Sequence, residues 1–504
     1  MTFHSNKVSI RQWNRSKLFL LIAAWLLTAC TVGPHYRRPS VIDESLTWKN
    51  KPVKDTDTVF YPQADSSFNT LTIDTGDSIK KIENNWWFVF GDDTLNQLIE
   101  EAFANNPSLK TAAFRIMESR GMVQTAKANF FPILSVDPNM NRTQLAGDRP
   151  SQFSSSRLPE LRINTISVPL DMSYEVDVWG KFRKSVDAAN ANMRGSQADY
   201  QVVRLGLVSD IATNYFNLRL IDSQIQLYNN ALKLRRNNLA LTQSQYKSGI
   251  TTQLDVIQAE IEVTTIESQI IDARQNRAII ENALAVLCGI PVMNFNIQAR
   301  TGLPKVPIIP LEVPADLLQR RPDIVEAEQQ LIYANAQVGI AQAAFLPTLK
   351  LSAASAGFLS SRFDNLFSSN SITWIGGVGV SIPVFTGGRN IAQKSIAENQ
   401  LKETQSMYKQ VVLNAFREVE DALVNLQYRS EQAAVQKKAL TLARSSADMS
   451  KELYRTGLTT YINVIAADKA VLDAENAYIT ITGQRLMYSI TLIKALGGGW
   501  NGMK

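Results

Sequence analysis

An internal repeat extends over most of this chain. The segment YKSGITTQLDVIQAE at 246–260 matches YRTGLTTYINVIAAD at 454–468 in seven of fifteen positions, at an offset of 208. Earlier fragments, from 106 and from 321, match at an offset of 215. Such self-similarity indicates one structural plan used twice. We therefore predict a first copy at 92–289, a second copy at 315–497, an intervening linker and equatorial segment at 290–314, and a C-terminal tail at 498–504.

Each copy begins with a helical stretch and continues with two alternating segments. The helical stretches are expected at 92–128 and 315–344. The clearest alternating segments are 166–178 and its counterpart 372–384, with partner strands that begin at Pro132 and Pro347. Each copy thus supplies a β-hairpin. Alternation of this kind suits a soluble sandwich as well as an outer-membrane barrel, and the pattern alone leaves both open.

Long helices follow the strands. Residues 170–290 and 384–504 contain no proline, although the chain has 18. A run of roughly 65 helical residues would be about 100 Å long at 1.5 Å per residue. A shorter helix then returns in each copy. Glycines mark the expected starts, turns and ends, at Gly180, Gly249 and Gly289 in copy one and at Gly387-Gly388, Gly457 and Gly497 in copy two.

The long helices carry two apolar stripes on nearly opposite faces, each with a seven-residue spacing. A two-stranded coiled coil needs one seam, so two seams predict that each helix packs between two neighbours, as in a closed ring. An ordinary large bundle is the alternative. The stripes of copy one are Ile211/Leu218/Ile225/Leu232/Leu239/Tyr246 and Leu220/Leu227/Leu234/Leu241; those of copy two are Leu426/Ala433/Leu440/Ala447 and Tyr428/Val435/Leu442/Met449.

The strand count predicts an assembly. The N-terminus described next indicates a lipid-anchored, exported chain, in which these strands suit an outer-membrane barrel. Four strands alone would leave open sheet edges, which lipid does not tolerate. Two chains would give eight strands, whose interior is filled by side chains, and three would give twelve. We predict a mixed α/β, mainly α, homotrimeric duct. It has a 12-stranded outer-membrane β-barrel, with four strands per chain, and a long periplasmic α-helical barrel.

The first 29 residues are predicted to be a removable targeting segment. A basic stretch precedes the ten apolar residues LFLLIAAWLL at 18–27, which fits a secretory signal and is short for a membrane span. The sequence LTAC then ends at Cys30. It predicts a lipobox, with Cys30 lipidated and residues 30–91 forming a lipid-anchored arm and equatorial segment. An ordinary signal peptide with an incidental cysteine is the alternative.

Composition argues against catalysis and nucleic-acid binding. The formal charge is +6, but once residues 1–29 are removed the chain has 48 basic and 46 acidic residues. This balance leaves no excess of positive charge of the kind that binds nucleic acid. Only His35 and Cys288 then remain beside Cys30 for histidine or thiol chemistry. We predict that the chain is not an enzyme and has no catalytic, metal or cofactor site. A lipid-anchored carboxylate enzyme would need a compact cleft, which the repeat plan does not offer.

Several fragments, in their order and spacing, resemble the TolC-like outer-membrane factor family, in its lipoprotein branch that serves tripartite efflux pumps. They are CTVGPHYRRP (30–39), NNWWFVFGDDTLNQLIEEAFANNPSL (84–109), YEVDVWGKFR (174–183), LLQRRPDIVEAEQQL (317–331) and FLPTLKL (345–351). The resemblance implies a homotrimeric exit duct for drugs or other small toxic compounds. It also implies a periplasmic adaptor and an inner-membrane transporter of the resistance-nodulation-division type as partners. A type I protein secretion duct and a trimeric adhesin or structural stalk are the alternatives.

The resemblance also implies where the functional residues lie. The two glycine turns would form the periplasmic tip, which closes the channel and receives the adaptor. Where relatives often carry aspartates beyond the second turn, this chain has Asn463 and Ala466, which favours an apolar constriction over a ring of charge. The expected adaptor-contact residues are Lys247, Gly249, Thr251, Thr252, Arg455, Gly457, Thr459 and Thr460. The expected aperture residues are Asp255, Ile462, Asn463 and Ala466.

Overall fold

The computed structural model describes residues 32–41, 48–49, 84–147, 160–307, 309, 317–318, 320–500 and 502. The predicted signal peptide and Cys30 lie outside these residues, as do parts of the expected arm and linker. Within the described residues the elements occur in the order α1 (Asp93–Asn105), α2 (Pro107–Ala128), β1 (Ile133–Val136), β2 (Asn139–Leu145), β3 (Leu161–Val176), α3 (Lys181–Lys247), α4 (Gln253–Cys288), α5 (Pro322–Ala343), β4 (Thr348–Ser360), β5 (Ile372–Ser381), α6 (Arg389–Arg455) and α7 (Tyr461–Ala495).

The long helices have the predicted positions. Helices α3 and α6 each span 67 residues, and the returning helices α4 and α7 span 36 and 35 residues. Helix α3 follows Gly180, and α4 ends at Gly289, whose φ of +70° is a left-handed C-cap conformation. In this respect the element order read from the sequence is confirmed.

Prolines divide or shorten the helices that precede the strands. The predicted helix 92–128 is two helices, because Asn106 takes extended backbone dihedrals before Pro107. Asn106 then accepts a 2.9 Å hydrogen bond from the amide of Leu109 and caps α2. The predicted helix 315–344 is divided in the same way: residues 317, 318 and 320 are helical, Arg321 is not, and residues 315 and 316 lie outside the described residues. Helix α5 then begins at Pro322, with proline at the first helical position, where its missing amide hydrogen has no consequence.

The strands form one antiparallel sheet in which β3 pairs with β4 and β4 pairs with β5. Both β1 and β2 pair with the same edge of β3, so the sheet is four strands wide and its outer strand is interrupted near Pro138. Strand β3 begins at Leu161, five residues before the expected 166, because its first residues continue the ladder with β2. Strand β5 ends at Ser381 rather than 384.

The described residues fall into two compact units. One consists of segments within Met1–Pro39, Met117–Arg194 and Glu328–Ser406 and contains the sheet, whose side chains are mostly exposed. The other consists of segments within Ser40–Ile116, Gly195–Ala327 and Met407–Lys504 and holds the main core. Tyr215, Phe216 and Leu486 are fully buried there. Of the helices that the structure describes, none is long and apolar enough to span a membrane.

One of the two apolar stripes on α6 is buried and the other is exposed. Every member of the first is buried: Leu426, Ala433, Leu440 and Ala447. The second is 60–70% exposed: Tyr428, Val435, Leu442 and Met449. On α3 both stripes become more exposed toward the turn: Leu218 and Leu220 are buried, whereas Tyr246 of the first stripe is 46% exposed and Leu234 and Leu241 of the second are 43% and 57% exposed. The single chain therefore covers one seam of α6 and leaves the other uncovered.

Candidate functional site

The two turns that end the long helices have the same backbone geometry. At the first, φ of Gly249 is +71° and the amide of Ile250 donates to the carbonyl of Gln245 at 2.9 Å. At the second, φ of Gly457 is +75° and the amide of Leu458 donates to the carbonyl of Leu453 at 2.9 Å. In each turn this hydrogen bond joins an amide to the carbonyl five residues earlier and closes a Schellman motif, in which glycine takes the left-handed position.

The first returning helix is closed by a capping box. The hydroxyl of Thr252 accepts from the amide of Asp255 at 3.3 Å, and the Asp255 carboxylate accepts from the amide of Thr252 at 3.1 Å. The hydroxyls of Thr251 and Thr252 also donate to Oδ2 of Asp255, at 2.5 and 2.8 Å. These bonds, that of Thr251 foremost, lower the pKa of Asp255 below its ordinary value because they favour the charged carboxylate. Asp255 therefore stabilises the turn.

The second returning helix is capped differently. Thr460 occupies the N-cap position, but its side chain makes no capping hydrogen bond. Asn463, at the place that Asp255 has in copy one, instead donates from its side-chain amide to the hydroxyl of Thr459 at 2.8 Å. Copy two therefore lacks the capping box of copy one, because the Asn463 side chain is bonded to Thr459 instead of to the N-cap residue.

The predicted aperture residues of copy two share one exposed surface. Ile462 and Ala466 are four residues apart and so lie on one face of α7, and Asn463 is beside them. All three are exposed in the single chain, Ile462 by 50%. The next residues along the helix, Val464 and Ile465, are buried against the chain itself. The exposed face is therefore separate from the side of α7 that packs on the chain.

The predicted adaptor-contact residues surround the same turns, and all of them are exposed except Thr251 and Thr459, which are half-buried. Lys247 and Arg455 are solvent-exposed, and Arg455 makes a surface ion pair with Glu452, at 3.6 Å. The residues after the two glycines, Ile250 and Leu458, are apolar and 74% and 76% exposed. Each turn therefore presents an apolar side chain flanked by a cation.

An ion network behind the turns joins all four helices of this region. Nη1 of Arg235, on α3, lies 3.2 Å from Oδ2 of Asp468 on α7, and both side chains are 6% exposed. Nε of Arg235 is 3.6 Å from Glu262 on α4, and Nζ of Lys451 on α6 is 2.9 Å from Asp468. These residues were not among those predicted from the sequence. The signal that could have indicated them is Arg235, a charge three residues after Leu232, at seven-residue spacing after the apolar Ile221 and Tyr228.

A pair of tyrosines lies across the second turn. The rings of Tyr454 and Tyr461 are 5.5 Å apart and tilted by 47°. Burial raises the pKa of both phenols, and the nearby Asp255 carboxylate raises that of Tyr454 further. Both therefore stay neutral at physiological pH. In the part of the chain that the structure describes, no group of three or more His, Cys, Asp or Glu side chains is placed to hold a metal ion.

Comparison with known proteins identifies the family. The chain is 29% identical over 493 residues to the cation efflux system protein CusC of Escherichia coli O6:H1, with 96% of this chain and 99% of that protein covered. It is 28% identical over 492 residues to the probable outer membrane lipoprotein SilC of Salmonella typhimurium, with 96% and 99% covered.

The fold agrees with these relatives. The crystal structure of the Campylobacter jejuni CmeC outer membrane channel superposes with a TM-score of 0.83 at 24% identity, over 94% of this chain and 96% of that one. The sequence profile of a family described as outer membrane efflux protein matches residues 98–290 and 313–498, which are most of both copies. The chain is a member of the outer membrane efflux protein family.

Proposed function

We propose that three copies of this chain form the passive exit duct of a tripartite efflux pump, anchored in the outer membrane by Cys30 and by a 12-stranded barrel. A periplasmic adaptor and an inner-membrane transporter of the resistance-nodulation-division type complete the pump. The observation that most directly supports the trimer is that the second apolar stripe of α6 is exposed in the single chain. Family membership supports the efflux role.

The uncovered stripe fits a second copy of the chain. Tyr428, Val435, Leu442 and Met449 are 60–70% exposed, although they repeat with the spacing of their buried counterparts. A heptad stripe covers apolar area only against another helix, and α3 carries a matching exposed pair at Leu234 and Leu241. Burying such a stripe favours association by roughly 25 cal/mol per Å² of apolar surface removed from water.

The sheet supports the same assembly. Among the described strands, β5 pairs only with β4, and β1 and β2 pair only with β3, so both sides of the sheet end in unpaired backbone groups. Unpaired amides and carbonyls each cost several kcal/mol in a bilayer core. Joining β5 of one copy to the β1–β2 edge of the next closes the sheet, and three sheets four strands wide give twelve strands.

The proposed roles at the tip follow from exposure and chemistry. Ile250 and Leu458 supply apolar contacts for the helical hairpins of an adaptor, and Lys247 and Arg455 supply charge. Ile462 and Ala466 close the resting channel by apolar packing, because a narrow apolar constriction excludes water. CusC is named a cation efflux system protein, which supports export of small solutes. SilC is named a probable outer membrane lipoprotein, which supports lipidation of Cys30.

Native mass spectrometry of the full chain in detergent tests the assembly. We expect a homotrimer for the unmodified protein and loss of the trimer in Leu442→Glu, which places charge in the uncovered stripe. Thr441→Glu is the matched control, because Thr441 is exposed on the same helix outside both stripes. A monomer or dimer that retains its β circular-dichroism signal in the unmodified protein would contradict the proposal. Planar-bilayer conductance separates a duct from a trimeric stalk.

A further inference from the structure

The internal repeat relates side-chain contacts as well as sequence. Arg236 on α3 pairs with Glu267 on α4 at 2.6 Å, and Arg444 on α6 pairs with Glu475 on α7 at 3.1 Å. Each residue of the second pair lies 208 positions after its counterpart in the first, which is the offset of the sequence match around the turns. A contact that α3 or α4 makes therefore locates the corresponding positions on α6 and α7, and the reverse.

Within the chain, copy one packs on copy two through α3 and α7. A Cβ atom added at Gly483 on α7 would lie 3.1 Å from both methyl carbons of Leu220 on α3. Closer to the turns, Nη1 of Arg235 lies 3.2 Å from Oδ2 of Asp468. The side chains of Leu220, Arg235 and Asp468 are buried in this contact. We call it the α3–α7 seam.

On α6, the side that corresponds to this seam is uncovered. The counterpart of Leu220 is Tyr428, which is 61% exposed, although Leu220 itself is buried. The counterpart of Arg235 is Ala443. Helix α6 contacts α7 of its own chain on another side, through Arg444. The side that carries Tyr428 and Ala443 therefore has room for a partner helix.

On α4, the corresponding surface is uncovered as well. Gln275 and Glu260, the counterparts of Gly483 and Asp468, are both exposed. Ile257, one turn before Glu260, is 47% exposed, whereas the isoleucine 208 positions later on α7 is buried. The apolar surface that α7 buries within the chain thus has an open equivalent on α4.

The two uncovered surfaces lie at opposite ends of a row of helices. The ion pairs behind the turns join α4 to α3, α3 to α7 and α7 to α6. Helices α4 and α6 are therefore the two ends of the row, and each has one side without a neighbour from the row.

We propose that α6 packs on α4 of a second copy, in the register that α3 has with α7 within the chain. The inference rests on the proposed homotrimer and names the two surfaces that meet in it. It places Tyr428 against the partner's Gln275, and Ala443 against the partner's Glu260. Because the surfaces differ and every chain carries both, the contact repeats head to tail and can close into a ring. Pairing of α6 with a second α6 would leave both α4 surfaces exposed and stop at a dimer.

The seam between copies differs from the α3–α7 seam in charge. Within the chain, Asp468 lies between two cations, one from α3 and one from α6. The positions that correspond to these cations hold Ala443 and Gln243, and the position of Asp468 holds Glu260. The seam between copies therefore keeps the acid and lacks both cations. We expect it to separate more readily than the α3–α7 seam, because an acid at a helix contact is costly without a paired cation.

Cysteine cross-linking in the full-length protein tests the register. In Leu220→Cys/Gly483→Cys, the two Cβ atoms come close enough for a disulfide within one chain. Tyr428→Cys/Gln275→Cys should then form a disulfide between chains, which gives a covalent trimer on a denaturing gel without reductant. The native Cys288 is buried and does not compete.

The matched control for the cross-link is Gln427→Cys/Gln275→Cys. Gln427 is exposed at the same level of α6 but points about 100° away around the helix. We expect at least about tenfold less covalent trimer from this pair, because a disulfide forms only over a short Cβ–Cβ distance. Equal cross-linking of the two pairs, or none from Tyr428→Cys/Gln275→Cys in a protein that is trimeric by native mass spectrometry, would overturn the proposed register.

A restored ion pair gives a second test, which does not depend on disulfide geometry. Ala443→Arg supplies a cation that the seam lacks and should slow the exchange of subunits between mass-labelled trimers by up to about fivefold. The gain should disappear when Glu260→Gln is also present. A gain that persists in the double variant would contradict the contact with Glu260. Trimer mass in the same samples reports the proposed assembly separately: trimers without these effects contradict only the register, whereas absence of trimers contradicts the assembly itself.

Discussion

Arg235 and Asp468 form a buried ion pair at 3.2 Å that ties α3 to α7 behind the turns, with both side chains 6% exposed. The next residue, Arg236, makes the contrasting interaction. It pairs with Glu267 at 2.6 Å, but the two side chains are 61% and 41% exposed. Two adjacent arginines on one helix thus sit in opposite environments. The shorter distance belongs to the weaker pair, because water screens exposed charges.

Replacing Arg235 should therefore loosen the tip, whereas replacing Arg236 should not. We expect Arg235→Gln to lower the local opening free energy by about 3 kcal/mol, because it leaves part of the Asp468 charge buried beside Lys451. Arg236→Gln should change it by less than about 1 kcal/mol. Hydrogen exchange of the amides at the start of α7 measures the difference. Equal protection in the two variants would show that the buried network does not hold the tip.

Two glycines, one in the first turn and one inside α3, should respond to alanine substitution with opposite changes in stability. Gly249→Ala should destabilise the first turn by about 1–2 kcal/mol, because its φ of +71° is costly for a residue with Cβ. Nothing lies within 4 Å of the added methyl group, so the cost is conformational rather than steric. Gly206→Ala, inside α3 with equally open space, should stabilise by up to about 1 kcal/mol. Thermal unfolding of both variants checks the pair, and a loss of stability in Gly206→Ala would contradict it.

The sequence predicted the ends of the long helices best, because the repeat and the glycine positions indicate the same boundaries. The ends of α3, α4, α6 and α7 fall within a few residues of the predicted turns, because proline-free apolar runs and left-handed glycines act locally. The strands were less predictable. The alternation changes phase between Ile163 and Ile166, yet the ladder with β2 continues through the change, because backbone hydrogen bonds do not depend on which face is apolar.

Contacts between distant segments could not be predicted. Tyr36 and Arg38 bond to Glu328, which is about 290 residues away, and Arg235 bonds to Asp468 across 233. No periodicity or local motif relates such positions. The difference between Asp255 and Asn463 was visible in the sequence, whereas its effect on capping depended on where the Asn463 side chain points.

Cys288 should be unreactive in the folded protein. Its side chain is fully buried, and burial raises the pKa of the thiol to about 12, so the reactive thiolate is scarce at pH 8. We expect maleimide to label no thiol in the native protein and one thiol per chain after denaturation, because lipidated Cys30 has no free thiol. Rapid labelling of Cys288 in the native state would contradict the buried position.

The anchor prediction concerns the N-terminus. Intact-mass analysis of protein extracted from membranes should show the loss of residues 1–29 and a lipid adduct on Cys30. Cys30→Ser should lack the adduct but still assemble, because the barrel holds the chain in the membrane independently. An unmodified Cys30 in the mature chain would refute lipidation.

Single-channel conductance of the purified protein in planar bilayers shows whether the chain is a duct closed at its tip by apolar packing. The unmodified protein should conduct weakly. Ile462→Ser should raise the conductance markedly, since it makes the constriction polar, and Asp255→Ala should have a smaller effect, since Asp255 is engaged with Thr251 and Thr252. Opening by Asp255→Ala without opening by Ile462→Ser would show that charge closes the tip, and absence of channel events in all three proteins would contradict the duct.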